Sequence, residues 1–281
     1  MKERWIRAIS HPVLADTTVF AIAETAFSNQ RLCELEGLEG GLRNFNYRAR
    51  TDAGEFVLRI YGTADAATEL EASVARLVAP KVATARYLST GCALGHRYAV
   101  RAYLPGKPLY TLLPRMCPAS TCRLAEDLGT LLAAIHSFEF DRFGELDANL
   151  AVFAPFDWND NPLVRYVRAR VDAGPAALRL GAALTEDMLR FLYRHGAKLQ
   201  RWSARPSLVH ADFGPTNVVV APDGTLAVID WEFAFSGSPA FDFGNLLRPP
   251  LDACAGFEEA LIESYRNAGG FAPDEWRDIA R

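Results

Sequence analysis

The sequence predicts an α+β fold in two lobes, a small β-rich N-terminal lobe and a larger, mainly helical C-terminal lobe. Three observations carry this expectation. Between about residues 30 and 106, short alternating segments surround a single helical stretch. Beyond Gly106, apolar residues recur at helical spacing over long runs. The chain has 281 residues, 50% of them hydrophobic, enough to bury two cores. The join is expected at Leu104-Pro105-Gly106, dividing the chain into residues 1–104 and 105–281.

The elements follow in order. Residues up to about Asn29 form a helix-containing entry segment. "NFNYRART" at 44–51, the turn residues "DAGE" and "FVLRIYG" at 56–62 predict a β-hairpin. "TELEASVARLVA" at 68–79 places Leu70, Val74, Leu77 and Val78 on one helical stripe. "HRYAVRAYLPG" at 96–106 returns to strand and is stopped by Pro105-Gly106. Amphipathic helices are predicted over 123–138, much of 184–203 and 257–269. One short hairpin interrupts them: "NVVV", the turn "APDG", then "TLAVID".

Composition excludes several classes. The formal net charge is -4, so no basic excess points to a nucleic-acid partner. The mild acidity suits a cationic small substrate. Five cysteines at irregular spacing, without a CxxC, predict a reducing compartment and no disulfide framework. Cys117 and Cys122 are expected to be ordinary buried thiols, since no second pair completes a zinc site. No apolar run is long enough to cross a membrane, and "MKERWIRAIS" is not a convincing signal peptide. A cytoplasmic protein is the expectation; the sequence does not set its oligomeric state.

The chemistry concentrates between His210 and Asn245. Asp212 and Asn217, five residues apart, sit at the two ends of one tight loop. Such a carboxylate can accept a proton from an attacking hydroxyl, and such an amide oxygen can ligate a metal. Both residue types also favour plain turns. Asp230 adds a third oxygen group at the end of the apolar strand "LAVID", folded back by the hairpin. Few hard oxygen ligands of this kind suit magnesium held together with substrate phosphates.

These residues resemble the aminoglycoside phosphotransferase and choline kinase superfamily, whose fold is similar to that of protein kinases. The family's H-x-D-x-x-x-x-N stands as "HADFGPTN", its strand-end metal aspartate as Asp230 in "VIDWE", and its later "GDPAYDLA"-like segment as "SGSPAFDFGNLL". The similarity runs from about Gly37 to Leu247. It implies a bilobal protein-kinase-like fold, with Asp212 as catalytic base or hydroxyl-orienting residue and Asn217 and Asp230 as magnesium ligands. His210 becomes a brace of the loop and His136 a packed structural histidine. The letters D-F-G occur twice, at 212–214 and 242–244. The metal aspartate is neither of these but Asp230, while Asp242 is expected to tie the large lobe together by bonding to the catalytic loop.

The resemblance makes the small lobe a nucleotide-binding lobe. Gly40 and Gly41, in "GLEGGLRNFNYR", would bring backbone amides to phosphates. Arg59 in "VLRI" stands where protein kinases carry a lysine, as is usual in the choline-kinase branch. Only four lysines occur, and none lies in that strand. Arginine grips phosphate bidentately. Its partner is predicted to be Glu71, because Glu71 lies nearer the apolar stripe than Glu69. Backbone contacts to the nucleotide base are expected near Arg101 and Tyr103. The co-substrate is ATP, with GTP open.

Only twelve positions separate Asp230 from Asp242, too few for a peptide-binding activation segment, so the acceptor is expected to be a small molecule. The acids Asp157, Asp160 and Glu232 would suit a polyamine, and the aromatics Trp158, Tyr166, Trp202 and Trp231 a quaternary ammonium. The overall expectation is a kinase for a hydroxyl of a small amine-bearing molecule. Its rivals are a metabolic choline, ethanolamine or homoserine-type kinase and a nucleotide-binding pseudokinase.

Overall fold

The computed structural model describes residues 14–38, 44–62, 68–156, 167–168, 171, 176–202, 205–251 and 254–280. The chain forms two compact units, Met1–Gly106 with Ala221–Glu232, and Lys107–Val220 with Phe233–Arg281. The segment Ala221–Glu232 thus clusters with the first unit, although it lies within the second in sequence.

The first unit is built on five antiparallel strands: β1 (Leu32–Leu38), β2 (Phe45–Thr51), β3 (Gly54–Ile60), β5 (Tyr87–Ala93) and β6 (His96–Ala102), in the order β1-β2-β3-β6-β5. The two-residue strand β4 is Ala83–Thr84. Alternation along the strands divides the sheet into two unlike faces. On one face, Ala49, Leu58, Ile60, Tyr98 and Val100 are buried against Val19, Ile22 and Ala23 of helix α1 (Asp16–Ala26) and Phe27 at its C-cap. Each such aliphatic side chain contributes roughly 1.5–3 kcal/mol on burial. The opposite face carries Asn46 and Arg48 of β2, Arg59 of β3 and Arg101 of β6. There Arg101 faces Val57 and Arg59 faces Ala99 across the ladder.

Helix α2 (Thr68–Val78) buries Ala72, Val74, Ala75 and Val78, and Glu71 with them. The later strand Leu226–Val228 pairs in parallel with β4, Ala227 against Ala83 and Val228 against Thr84. The Thr84 hydroxyl latches this segment by donating to Val228 O at 2.7 Å and accepting from Trp231 Nε1 at 3.0 Å. This pairing delivers Asp230 and Glu232 to the first unit.

The second unit is mainly helical. Helix α3 spans Leu109–Leu112 and helix α4 spans Pro118–His136. Helix α4 packs against the helix Phe257–Asn267 at Gly129, where a Cβ would lie 2.4 Å from Leu261 O and 2.9 Å from Tyr265 N. Only a glycine allows this approach. Around the helix Ala240–Leu246, Tyr265 and Trp276 meet Phe243 edge-on, and Trp202 lies tilted against Phe243 with centroids 4.8 Å apart.

The elements the sequence left unmarked include β1 and β5, the strands Gly144–Leu146, Val152–Pro155, Ser207–Val209 and Phe235–Gly237, and helix Ala240–Leu246. The exposure patterns of β1 and β5 are largely open, and neither has the apolar alternation of β2 and β3. No helix among the described residues is long and apolar enough to cross a membrane. The cysteine expectation needs correction. Cys117 is exposed, with Sγ 3.2 Å from Ser120 Oγ at the start of helix α4, and Cys122 is half-buried. Both stand near the helix start, ahead of the stripe that faces the core.

Candidate active site

In the second unit the loop His210-Ala211-Asp212 follows the strand Ser207–Val209. Ala211 has φ +63, a conformation that costs a non-glycine residue energy. Its surroundings compel it. Asp242, fully buried, accepts from the N–H groups of His210 and Ala211, both at 2.8 Å. Asn245 Nδ2 donates to Ala211 O at 2.8 Å. The Asp242 carboxylate also meets His136 Nε2 at 3.2 Å, and His136 Nδ1 lies 3.0 Å from the Tyr265 hydroxyl. Burial, then the Asp242 charge, pushes the Tyr265 hydroxyl pKa up, so it stays protonated. Asp242 is therefore a brace of the loop, and His136 is a packed histidine that holds Asp242. Asn245 is a second brace, masked in sequence by its ordinary place on a helix.

The loop presents Asp212. Asn217 Nδ2 donates to Asp212 Oδ2 at 2.9 Å and to Asp212 O at 2.8 Å. The amide thus orients the carboxylate and turns its own oxygen away from it. That oxygen is the donor type a magnesium ion takes. His210 is wholly buried, its ring packed edge-on to Phe213, with Nδ1 3.3 Å from the Asp212 N–H.

In the first unit Arg59 and Glu71 come together as the helical spacing predicts. Glu71 is fully buried 3.5 Å from Arg59 Nη1, whereas Glu69 lies on the surface with Arg97 at 2.6 Å. The Tyr61 hydroxyl donates to Glu71 Oε2 at 2.5 Å. Arg59 reaches further. Its Nη1 also binds Asp230 Oδ1, and its Nη2 binds Glu232 Oε2 at 3.1 Å. Burial disfavours its charge, but Glu71 and then Asp230 outweigh that and hold its pKa well above the ordinary value. Asp230 itself has φ +74, a left-handed conformation that aspartate tolerates better than most residues.

Glu232 is also held by Asn44 Nδ2 at 2.9 Å, and burial, then the Asp230 charge, raises its pKa. It is tied up as a partner of Arg59, not displayed as an acid for an acceptor amine. Neither Glu232 in this role nor Asn44 was signalled by the motifs. Of the other acceptor candidates, Trp202 and Trp231 are core residues, 1% exposed. Asp157, Trp158, Asp160 and Tyr166 lie outside the described residues, as do Gly40 and Gly41.

Arg101 is buried, with Nη2 donating to Asn46 Oδ1 at 3.3 Å and Nη1 3.9 Å from Glu71. Tyr103 donates its N–H to Glu55 O at 3.3 Å, so by alternation the backbone groups of Arg101 and Tyr103 face β3. Ala102 N–H points the other way, to Arg86 O at 2.8 Å.

Among the described residues no three His, Cys, Asp or Glu side chains are grouped to hold a metal by themselves. An amide oxygen such as that of Asn217 in the second unit and a carboxylate such as that of Asp230 in the first are each donor types that magnesium takes, although Asp230 already carries a guanidinium.

An arginine face paired with a helix glutamate in one unit, and an aspartate–asparagine loop in the other, are the features that the motifs lead one to expect of a protein-kinase-like fold. The model of the Phosphotransferase enzyme family matches residues 34–279, and the chain belongs to that family. Among curated proteins it is 28% identical to the homoserine kinase of Granulibacter bethesdensis over 225 residues, covering 75% of this chain and 63% of that protein. It is 29% identical to the homoserine kinase of Gluconacetobacter diazotrophicus over 273 residues, covering 88% and 76%. The chain thus spans less than two thirds of the length of the first relative. Among solved structures, the aminoglycoside phosphotransferase APH(4)-Ia superposes with a TM-score of 0.68 at 19% identity, over 90% of this chain and 83% of that one. A thermostable mutant of it, in ternary complex with AMP-PNP and hygromycin B, gives 0.67 at 20% identity over 95% and 88%. The macrolide 2'-phosphotransferase MphH from Brachybacterium faecium gives 0.64 at 21% identity over 93% and 87%. These likenesses establish the fold.

Proposed function

We propose that the protein transfers the γ-phosphoryl group of ATP to a hydroxyl of a small, amine-bearing molecule. The observation that carries this is the fixed pose of Asp212, oriented by Asn217 on a loop whose strained Ala211 is gripped by Asp242 and Asn245. Phosphoryl transfer needs positioning and charge neutralisation more than covalent help, and a rigid carboxylate loop supplies the positioning. Asp212 orients the acceptor hydroxyl and takes its proton. Arg59, set by Glu71, binds phosphate oxygens. Asn217 through Oδ1 and Asp230 would hold magnesium, whose charge neutralises phosphate oxygens when it is bound. The first unit takes the nucleotide. Its base then meets the backbone near Arg101 and Tyr103, where by the same alternation Leu104 faces away from β3 and the Ala102 N–H is already held by Arg86 O. ATP is favoured over GTP by the AMP-PNP complex of the APH(4)-Ia mutant.

For the acceptor, the two curated relatives favour an amino alcohol of the homoserine kind over an aminoglycoside. A coupled-ATPase screen across homoserine, choline, ethanolamine and aminoglycosides tests this. Phosphorylation of an amino alcohol, lowered about 10²–10⁴-fold in Asp212→Asn without loss of fold, is the expected result. Near-wild-type turnover of Asp212→Asn overturns the assignment of the base.

A further inference from the structure

We propose that Arg48, stacked on Tyr103 and locked by Glu55, is the surface on which the base of the nucleotide stacks, a binding residue that no motif marks. This rests on the phosphotransferase reading and deepens it. The register of the first unit's sheet sets where the base falls. Asn46 stands opposite Arg59, and the next row toward the end of β6 holds Arg48, Val57 and Arg101. A third row holds Arg50 and Glu55, with Tyr103 just past β6 donating its N–H to Glu55 O at 3.3 Å. Successive rows on one face of a strand stand about 7 Å apart. Arg59, still paired with Glu71, has the carboxylates of Asp230 and Glu232 beside it. These anions repel a nucleotide from that side, so with its phosphates on Arg59 the nucleoside runs toward the second row. One row step spans the ribose and brings the base over Arg48.

Arg101 leaves that row open, because its guanidinium leans back to Asn46 Oδ1 at 3.3 Å and to Glu71 at 3.9 Å. Arg48 is turned the other way. Its guanidinium carbon lies over the Tyr103 ring, 4.5 Å from the centroid, and its Nη2 donates to both Glu55 oxygens, at 2.8 and 2.9 Å. Ring and carboxylate together hold the guanidinium in one pose, so it has little rotamer freedom left to lose on binding. Neither member of the stack is buried: the Arg48 side chain is 30% exposed, and Tyr103 is half-buried. Guanidinium planes and aromatic rings are the surfaces on which bases stack. Two backbone donors near Tyr103 are already taken, its own N–H by Glu55 O and that of Ala102 by Arg86 O. Much of the contact with the base therefore falls to these side chains.

The test is isothermal titration calorimetry of the full chain with ADP and with inorganic tripolyphosphate, a probe that has phosphates and no base; circular dichroism follows the fold. Arg48→Met is expected to weaken ADP binding about tenfold, the scale of one lost base stack, and to leave tripolyphosphate at its wild-type affinity. Arg48→Lys keeps the charge without the plane and is expected to lose ADP affinity as Arg48→Met does. Tyr103→Leu is expected to lose a similar factor, and Arg48→Met combined with Tyr103→Leu little more than either alone, because the two side chains form one surface. Loss of the exposed Arg48–Glu55 pair costs the fold little. A folded Arg48→Met protein with wild-type ADP affinity overturns the proposal. So does an equal loss for ADP and tripolyphosphate, which makes Arg48 a phosphate ligand, or full ADP affinity in Arg48→Lys, which makes charge alone sufficient. Phosphoryl transfer is assayed separately. Wild type that binds ADP but phosphorylates no acceptor counts against the proposed function while the base stack is still read from the variants; wild type that binds no nucleotide overturns both.

Discussion

Asp242 shows how much one buried side chain can decide. It accepts from two consecutive backbone N–H groups and from His136, and so holds the bend that aims Asp212. Asp242→Ala leaves these donors without a partner and is expected to cost on the order of 3 kcal/mol, read by urea denaturation. Asp242→Asn keeps one acceptor oxygen and should lose about half of that. An Asp242→Ala protein as stable as wild type would show that water replaces the carboxylate at no cost. Asp242 was signalled as a brace of the catalytic loop by the resemblance of "SGSPAFDFGNLL" to the family's segment. The motifs held no hint of Asn245 or Asn44, whose partners lie 34 and 188 positions away. Glu71 was legible at the same scale because helical periodicity alone separates it from Glu69.

At the scale of elements, periodicity made most helices and the β2–β3 hairpin readable. Helix α2 and β6 fall within a residue or two of their expected starts, as amphipathic segments of that length should. Strands β1 and β5 were not readable. Both lie at the edges of the sheet, where one side of the strand is open and polar residues such as Glu34, Glu36, Ser89 and Thr90 are tolerated. The crossing of helix α4 and the helix Phe257–Asn267 depends on Gly129. Gly129→Ala would force the two backbones apart, and a loss of about 1–3 kcal/mol is expected in thermal denaturation. Unchanged stability would mean the pair re-docks freely. The helix propensity of alanine works in the opposite direction by about 1 kcal/mol, so a net loss isolates the packing effect.

Over the whole molecule, nucleotide binding should appear as linkage. With ATP and magnesium at about 100 times the dissociation constant, unfolding should become harder by about 2.7 kcal/mol. For a chain of this size that is a rise in melting temperature of roughly 5 °C, measured by differential scanning fluorimetry. No shift with any nucleotide would remove the nucleotide from the proposed function.

The sequence by itself determined the α+β class and the family, and singled out Asp212, Asn217, Glu71 and Asp230. These depend on local spacing: five residues from Asp212 to Asn217, a helical stripe beside Glu71, an aspartate just past an apolar strand. Tertiary structure alone decided which charges meet. Arg59 gathers Asp230 and Glu232 beside Glu71 only because the strand Leu226–Val228 returns to pair with β4, more than 140 positions earlier, under the Thr84 latch. Ion pairs between residues so distant in sequence are set by which backbones dock. Burial then gives those few charges their strength, because water is no longer there to screen them.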